Sequence, residues 1–327
     1  MTLKTKDVLQ YWSVLKTKPS LFQATWCSFL IVLLIKFSLL YSAHLLPLIG
    51  KPFKNTGMRI LIIIVISLFT IGNVNASEGI YTIQNNTSAF EFRKITNNSF
   101  AVGEKLTYVL HYGFIDAGRA TLEVEECDKQ INGRKLVHAV GKGKSLGAFN
   151  WFFKVQDRYE TYLDAEGMFP WMFIRRVHEG GYEISQDYTF YQHKKEVSDG
   201  NKKYDVPYNI QDMVSSYYYA RTLDFSDAKI GDLFEFNTFM DGEIFPLKIK
   251  YLGKETIKIR KGKYKCIKFC PVVQTGRIFK TEEDLQVWIS DDENKIPLLA
   301  KANILVGSIK MELTKHEGVK NPISKIK

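Results

Sequence analysis

The side chains with binding chemistry fall into an aromatic set and a charged set. Trp151 and Phe153 follow Phe149 at i, i+2, i+4, and Trp171 and Phe173 follow Phe169 at the same spacing. On extended segments each triad presents one face. Facing one another in a sheet, they would line a cavity suited to an acyl chain or a sugar ring. As ordinary core they would supply the largest buried areas. The charged set lies inside otherwise apolar patterns: Asp157, Arg158, Glu160, Arg175, Arg176, Glu179, Asp212 and Arg221. An acid and an arginine pointing into one barrel form a buried pair, costly unless fully hydrogen-bonded. Such a pair either fixes the fold or anchors a ligand, and the sequence leaves both open. Trp151, Phe153, Trp171, Phe173, Asp157, Arg175, Asp212 and Arg221 are therefore the candidate ligand-binding residues.

Catalytic and metal patterns are not found. Gly141-Lys142-Gly143-Lys144-Ser145 resembles the end of a phosphate loop, but that pattern needs glycine at position 138, where the residue is His138. It reads as a basic turn. No His-Glu-x-x-His or Gly-x-Ser-x-Gly occurs, and His111, His138, His178, His193 and His316 are scattered. No histidine falls at ligand spacing near Cys127, Cys266 or Cys270, so neither a metal nor a cofactor is expected. On one strand Cys266 and Cys270 would lie about 13 Å apart, beyond the roughly 7 Å a disulfide allows. Cys127 could reach either one. Alternatively all three are buried thiols acting as small hydrophobes.

The elements that must position these residues are mostly strands. Leu106, Tyr108 and Leu110 alternate with Thr107, Val109 and His111, and Ala120, Leu122 and Val124 with Thr121, Glu123 and Glu125. Asn132-Gly133 then marks a tight turn into 135–141. Later runs are 234–240, closed by Asp241-Gly242, then 247–251, 257–259, 264–270, 285–290, 297–306 and 308–314. Short runs without long helical patterns between them predict a mainly β fold, with antiparallel sheets forming a barrel-like or sandwich domain. One segment differs. Residues 209–223 follow Pro207, offer Asn209 as a cap and place Val214, Tyr217, Tyr218 and Arg221 at helical spacing, which predicts the single substantial helix. No Pro/Ser/Gly linker interrupts 96–316, so one domain is expected there, preceded by a flexible arm over 77–95 and followed by a frayed basic tail over 317–327.

Charge and composition set the compartment. The 327 residues hold 45 Lys+Arg against 35 Asp+Glu, a net +10. Up to Ala76 the bases are Lys4, Lys6, Lys16, Lys18, Lys36, Lys51, Lys54 and Arg59 against Asp7 alone, so about +3 is left for the remainder. A nucleic-acid partner is not expected. With 45% apolar and 13% aromatic residues the chain can build a core, which excludes a disordered chain, and four cysteines are too few for a disulfide scaffold. Arg59, the apolar run 60–71 and Val74-Asn75-Ala76 before Ser77 make 58–76 a cleaved secretory signal peptide. Residues 26–49 are long enough to span a bilayer, although Lys36, His44 and Pro47 interrupt them. Residues 1–57 are either a transmembrane segment, which would anchor the protein, or an upstream extension that is not translated, with Met58 as the start.

Phe100-x-x-Gly103-Glu104-x-Leu106-x-Tyr108, Gly113 with Ala117-Gly118, Val155-x-Asp157 and Asp164-x-x-Gly167 form an ordered set. Gln211-Asp212-x-x-Ser215-x-x-Tyr218-x-x-Arg221 and Trp288-x-x-Asp291-Asp292 with Pro297 extend it. Together, over nearly all of 98–314, they resemble the exported family of Gram-negative bacteria catalogued as domain of unknown function 3108. The resemblance implies an exported address and an architecture, without an activity to transfer. The expectation is a periplasmic, non-catalytic binding module for a lipid or glycan of the cell envelope, held in a sheet-lined cavity. The alternative is a structural or interaction subunit docking an envelope protein through a sheet edge or the 209–223 helix. A weaker alternative is a hydrolase using Asp157 or Asp212, which requires two carboxylates roughly 5–9.5 Å apart in a cavity.

Overall fold

The computed structural model describes residues 90–272, 281, 283–303 and 307–326. The expected signal peptide (58–76), the apolar stretch before it and residues 77–89 of the expected arm lie outside the described residues. Among the described residues the elements are β1 (Lys105–Tyr112), β2 (Ile115–Glu125), β3 (Gln130–Ile131), β4 (Arg134–Ser145), α1 (Gly147–Phe152), β5 (Gln156–Asp164), β6 (Pro170–Glu179), β7 (Tyr182–Tyr191), β8 (Glu196–Ser198) and β9 (Lys203–Asp205). Then come α2 (Met213–Arg221), β10 (Leu233–Met240), β11 (Glu243–Ile259), β12 (Gly262–Pro271), β13 (Leu285–Ser290), β14 (Pro297–Asn303), β15 (Ser308–Glu317) and β16 (Lys325–Ile326).

The strands form one antiparallel sheet in the order β10-β11-β12-β13-β14-β15-β1-β2-β4-β5-β6-β7-β8-β9. β1 joins the C-terminal strand β15 to the N-terminal β2, so both halves of the chain share one sheet. The sheet rolls until its two edges approach. Just after β9, Gln211 bridges Thr238 of β10 in parallel, with the Gln211 N–H donating to Asn237 O at 2.9 Å and the Phe239 N–H to Gln211 O at 2.7 Å. Phe239 packs against Tyr188 and Tyr204 at ring distances of 5.0 and 5.2 Å, and Arg175 of β6 pairs with Asp241 beyond β10. The fold is mainly β and barrel-like, as the alternation predicts. Leu106, Tyr108, Leu110, Ala120, Leu122 and Val124 all point into the main core.

Inside the roll lies α2. Met213, Val214, Ser215, Ser216, Tyr217, Tyr218 and Arg221 are all buried, which is the pattern of a helix enclosed on most sides rather than one lying on a surface. The helix is shorter than the sequence predicts, because its cap is Asp212 and not Asn209. Asn209 instead takes a left-handed turn at φ 59°. The Asp212 carboxylate accepts from the Val214 and Ser215 N–H groups at 2.7 and 2.8 Å, while Ser215 Oγ accepts the Asp212 N–H at 2.8 Å. This capping box satisfies donors that would otherwise be orphaned in the core.

The described end of the expected arm, residues 90–95, and the tail expected to fray both make hydrogen bonds to the sheet domain. Arg93 donates to Gly167 O and Met168 O at 2.9 and 3.0 Å, and the Ile95 N–H donates to Glu166 O at 2.8 Å. In the tail, β16 pairs with β12, and the Asn321 N–H donates to Asn294 Oδ1 at 2.8 Å. Among the described residues no helix is long and apolar enough to cross a membrane.

Candidate functional site

The last turn of α2 and the inner faces of β11, β12 and β13 leave a cavity of about 90 Å³. Leu247 and Ile249 of β11, Phe269 and Pro271 of β12, and Val287 and Ile289 of β13 form its walls. Phe225 and Pro297 close two sides, and Ala220 faces in from the helix. Polar groups enter at a few points only: Ser216, Tyr217, Arg221 and Lys295.

These polar groups differ in what they have left to offer. Ser216 Oγ donates to Met213 O at 2.9 Å and is used within the helix. Arg221 is fully engaged. Its Nη1 and Nη2 donate to the two Glu104 carboxylate oxygens at 2.6 and 2.7 Å, Nη2 also donates to Ser99 O at 3.0 Å, and Nε donates to Asn294 O at 3.0 Å. Burial disfavours its charge, but Glu104 outweighs this and holds the guanidinium above its ordinary value. Tyr217 and Tyr108 act on each other electrostatically, yet neither hydroxyl completes a hydrogen bond of good geometry. Burial pushes the Tyr217 phenol up to about 12, so it stays protonated and able to donate. Lys295, half-buried in a left-handed turn at φ 48°, makes no ion pair among the described residues, although the Asp224 carboxylate feels its charge. The site is thus an apolar slot with one available cation and one under-bonded phenol at its margin.

Of the sequence candidates only Arg221 reaches this slot. The two aromatic triads do not line one cavity. Residues 147–152 form the short helix α1 instead of a strand, which sends Trp151 out to 83% exposure. Phe153 follows α1 and lies against Gly180, where an added Cβ would sit 2.2 Å from its ring. In the second triad the register between β5 and β6 slips, Tyr162 pairing with Met172 but Leu163 with Pro170, so Trp171 is the extra residue of a β-bulge. A bulge reverses side-chain parity. Phe169 and Trp171 therefore pack with Leu136 and Tyr162 in a separate outer cluster, and Phe173 stays in the main core against Tyr188. Buried Trp171 spends its indole N–H on Asp164 at 3.0 Å.

The charged candidates hold the fold. Asp157 is buried and accepts the His178 N–H at 3.2 Å, and Arg175 pairs with Asp241. Asp212 caps α2 and also accepts from Thr161 Oγ1 at 2.6 Å. Burial raises its carboxyl to about 7, against the opposing pull of its Thr161, Ser215 and Val214 hydrogen bonds. Asp157 and Asp212 are not among the pocket's lining residues, which include no carboxylate, so a two-carboxylate hydrolytic site has no counterpart there. No disulfide joins Cys127 to Cys266 or Cys270. Cys266 is in the main core, while Cys127 packs on the outer cluster around Trp171, and all three are thiols. Among the described residues no group of three His, Cys, Asp or Glu is arranged to hold a metal.

Comparison with known proteins adds a family and a set of distant likenesses. A family model described as "Protein of unknown function (DUF3108)" matches residues 107–314. No curated protein matches the chain. A β-barrel-like protein of domain of unknown function DUF1849 from Brucella abortus aligns over 67% of this chain and 98% of its own, at 9% identity and a TM-score of 0.43. A protein described as exported, with YmcC-like fold, from Bacteroides fragilis aligns over 68% and 99%, at 9% identity and a TM-score of 0.27. One described as a lipoprotein from Parabacteroides distasonis aligns over 69% and 100%, at 7% identity and a TM-score of 0.26.

Proposed function

The chain belongs to the family described as protein of unknown function DUF3108, and from that premise we propose that it is an exported envelope protein that binds the end of an apolar chain without transforming it. The observation that carries this reading is the slot between α2 and β11–β13, walled by Leu247, Ile249, Phe269, Val287 and Ile289 and margined by Lys295 and Tyr217. A lipid-like ligand suits it better than a glycan. A sugar would need several donors and an open aromatic platform, whereas the slot offers mainly hydrocarbon and Trp171 is buried elsewhere. At about 90 Å³ the slot is far below the roughly 300–1,000 Å³ that encloses a whole drug-sized ligand. It therefore takes an acyl terminus, or the tail of a short fatty acid whose carboxylate meets Lys295.

Titration with a fluorescent polyene fatty acid tests the reading. The wild-type protein is expected to bind it, and Ala220→Leu, which fills the slot from the helix side, to weaken binding at least about tenfold, or 1.4 kcal/mol. Lys295→Gln should weaken binding of the acid while leaving the corresponding alcohol nearly unaffected. Absence of binding by wild type would remove the proposal.

The small volume supports one second reading, a subunit of an envelope complex whose slot seats a single apolar side chain of a protein partner. Crosslinking in cells followed by purification separates the two. A stoichiometric protein without lipid favours the subunit.

A further inference from the structure

One end of the sheet carries exposed aromatic side chains beside cations that form no ion pair among the described residues. Gly113, at φ 57°, turns β1 into β2 and leaves the neighbouring Phe114 wholly exposed. Three residues on, Ala117 O accepts the Leu146 N–H at 2.9 Å, and α1 starts from that point and packs on β2, with Trp151 facing solvent. Phe114 and Trp151 thus project from neighbouring elements at the same end.

Cations surround them. Arg119 and Lys144 are direct cross-strand partners on the outer face of β2 and β4, and both are exposed. Lys258 and Lys263 oppose each other in the same way at the β11–β12 turn. That turn lies beside the hairpin, because Arg260 Nη2 is 3.4 Å from Asp116 Oδ1. Like charges directly opposite one another destabilise a sheet. Lys142 opposite Arg158, by contrast, has Glu123 and Glu160 close by. Here the local acids are already committed, Asp116 to His111 and Arg260, and Glu312 to Lys310. Among the described residues Arg119, Lys144, Lys258 and Lys263 form no ion pair. An anion arriving from outside would offset the repulsion within these pairs.

We propose that this end docks on the surface of an anionic lipid bilayer, with Phe114 and Trp151 entering the interfacial layer and the Arg119–Lys144 and Lys258–Lys263 pairs meeting the headgroups. Aromatic rings favour that layer because it is apolar on one side and wet on the other. Two separate projecting rings match the soft, heterogeneous interfacial layer of a bilayer better than the flat, packed centre of a protein interface. Each cation near an anionic surface strengthens partition about fivefold, and salt screens the effect.

Flotation of the processed protein, recovered after export, with vesicles tests the proposal. The protein is expected to float with phosphatidylcholine–phosphatidylglycerol vesicles at low salt. It should float much less with phosphatidylcholine alone, and should be released at high salt. Phe114→Ser with Trp151→Ser, and separately Arg119→Gln with Lys144→Gln, should each lower partition at least about tenfold without lowering Tm. Trp151 emission should shift to the blue on binding and be quenched by chain-brominated lipids, a signal Trp151→Phe removes. Equal flotation with neutral and anionic vesicles, or flotation untouched by either pair of substitutions, overturns the proposal. The surface is independent of the slot, so Ala220→Leu should leave flotation unchanged.

Discussion

Arg221 and Glu104 show why a buried charge in this protein is structural. The guanidinium joins α2 to the start of β1 through Glu104, to the segment before it through Ser99, and to the β13–β14 turn through Asn294. Removing one partner leaves the other charged and dry, which costs about 3–5 kcal/mol. Arg221→Met should therefore destabilise strongly, and Arg221→Met with Glu104→Leu should recover much of the loss, read as urea midpoints. Asp212 gives a pH signature. Its carboxyl is raised to about 7 by burial, against about 3.9 in an unfolded chain. A raised acid contributes stability that is fully present below the unfolded value and lost as pH rises through the folded one. Asp164 acts in the opposite sense. Burial raises it, but Arg134, Trp171 and Gly167 together hold it below the ordinary carboxylate range, so its contribution is lost as pH falls. Relative to Asp212→Asn, which keeps an acceptor for the capping N–H groups, the wild type should lose stability between about pH 4 and pH 7. Parallel curves for the two proteins would contradict this assignment.

At the scale of elements, alternation made the strands legible, and local irregularities hid the site. The runs at 106–110 and 120–124 needed only period-two patterning to be placed in the core. The aromatic triads obeyed the same pattern and still parted. Gly147 at φ 52° opens the single helical turn of α1 under the first triad, and the bulge at Trp171 reverses parity in the second. Neither has a period. The α2 helix is legible from its 3.6-residue spacing, but its cap is not, since Asn209 and Asp212 both suit a cap by residue type and Asp212 takes it through its capping box with Ser215. The slot itself was not legible, because Tyr217, Ile249 and Lys295 come together only when the sheet rolls around α2. Many motif residues that carry the family resemblance serve this scaffold: Glu104 with Arg221, Asp212 with Ser215, Asp164 with Gly167. Ser215→Ala, which removes one arm of the capping box, should cost about 1 kcal/mol in chemical denaturation while leaving the far-UV spectrum unchanged.

For the whole molecule, one sheet closed loosely around α2 accounts for the modest volume of the slot. Among the described residues its interior is largely occupied by its own helix, and the slot at the end of α2 is the space we assign to a ligand. Because the sheet edges meet through Gln211, Phe239 and the Arg175–Asp241 pair, widening that slot would require the roll to loosen. Binding an apolar chain end should therefore raise Tm with the logarithm of ligand excess over Kd, and the rise should be much smaller or absent in Ala220→Leu. The most direct test of the binding account is native mass spectrometry of the processed protein purified without detergent and challenged with medium-chain fatty acids. The account predicts one acid bound per wild-type chain and none in Ala220→Leu. Wild type without adducts, or equal adducts in both proteins, would contradict it.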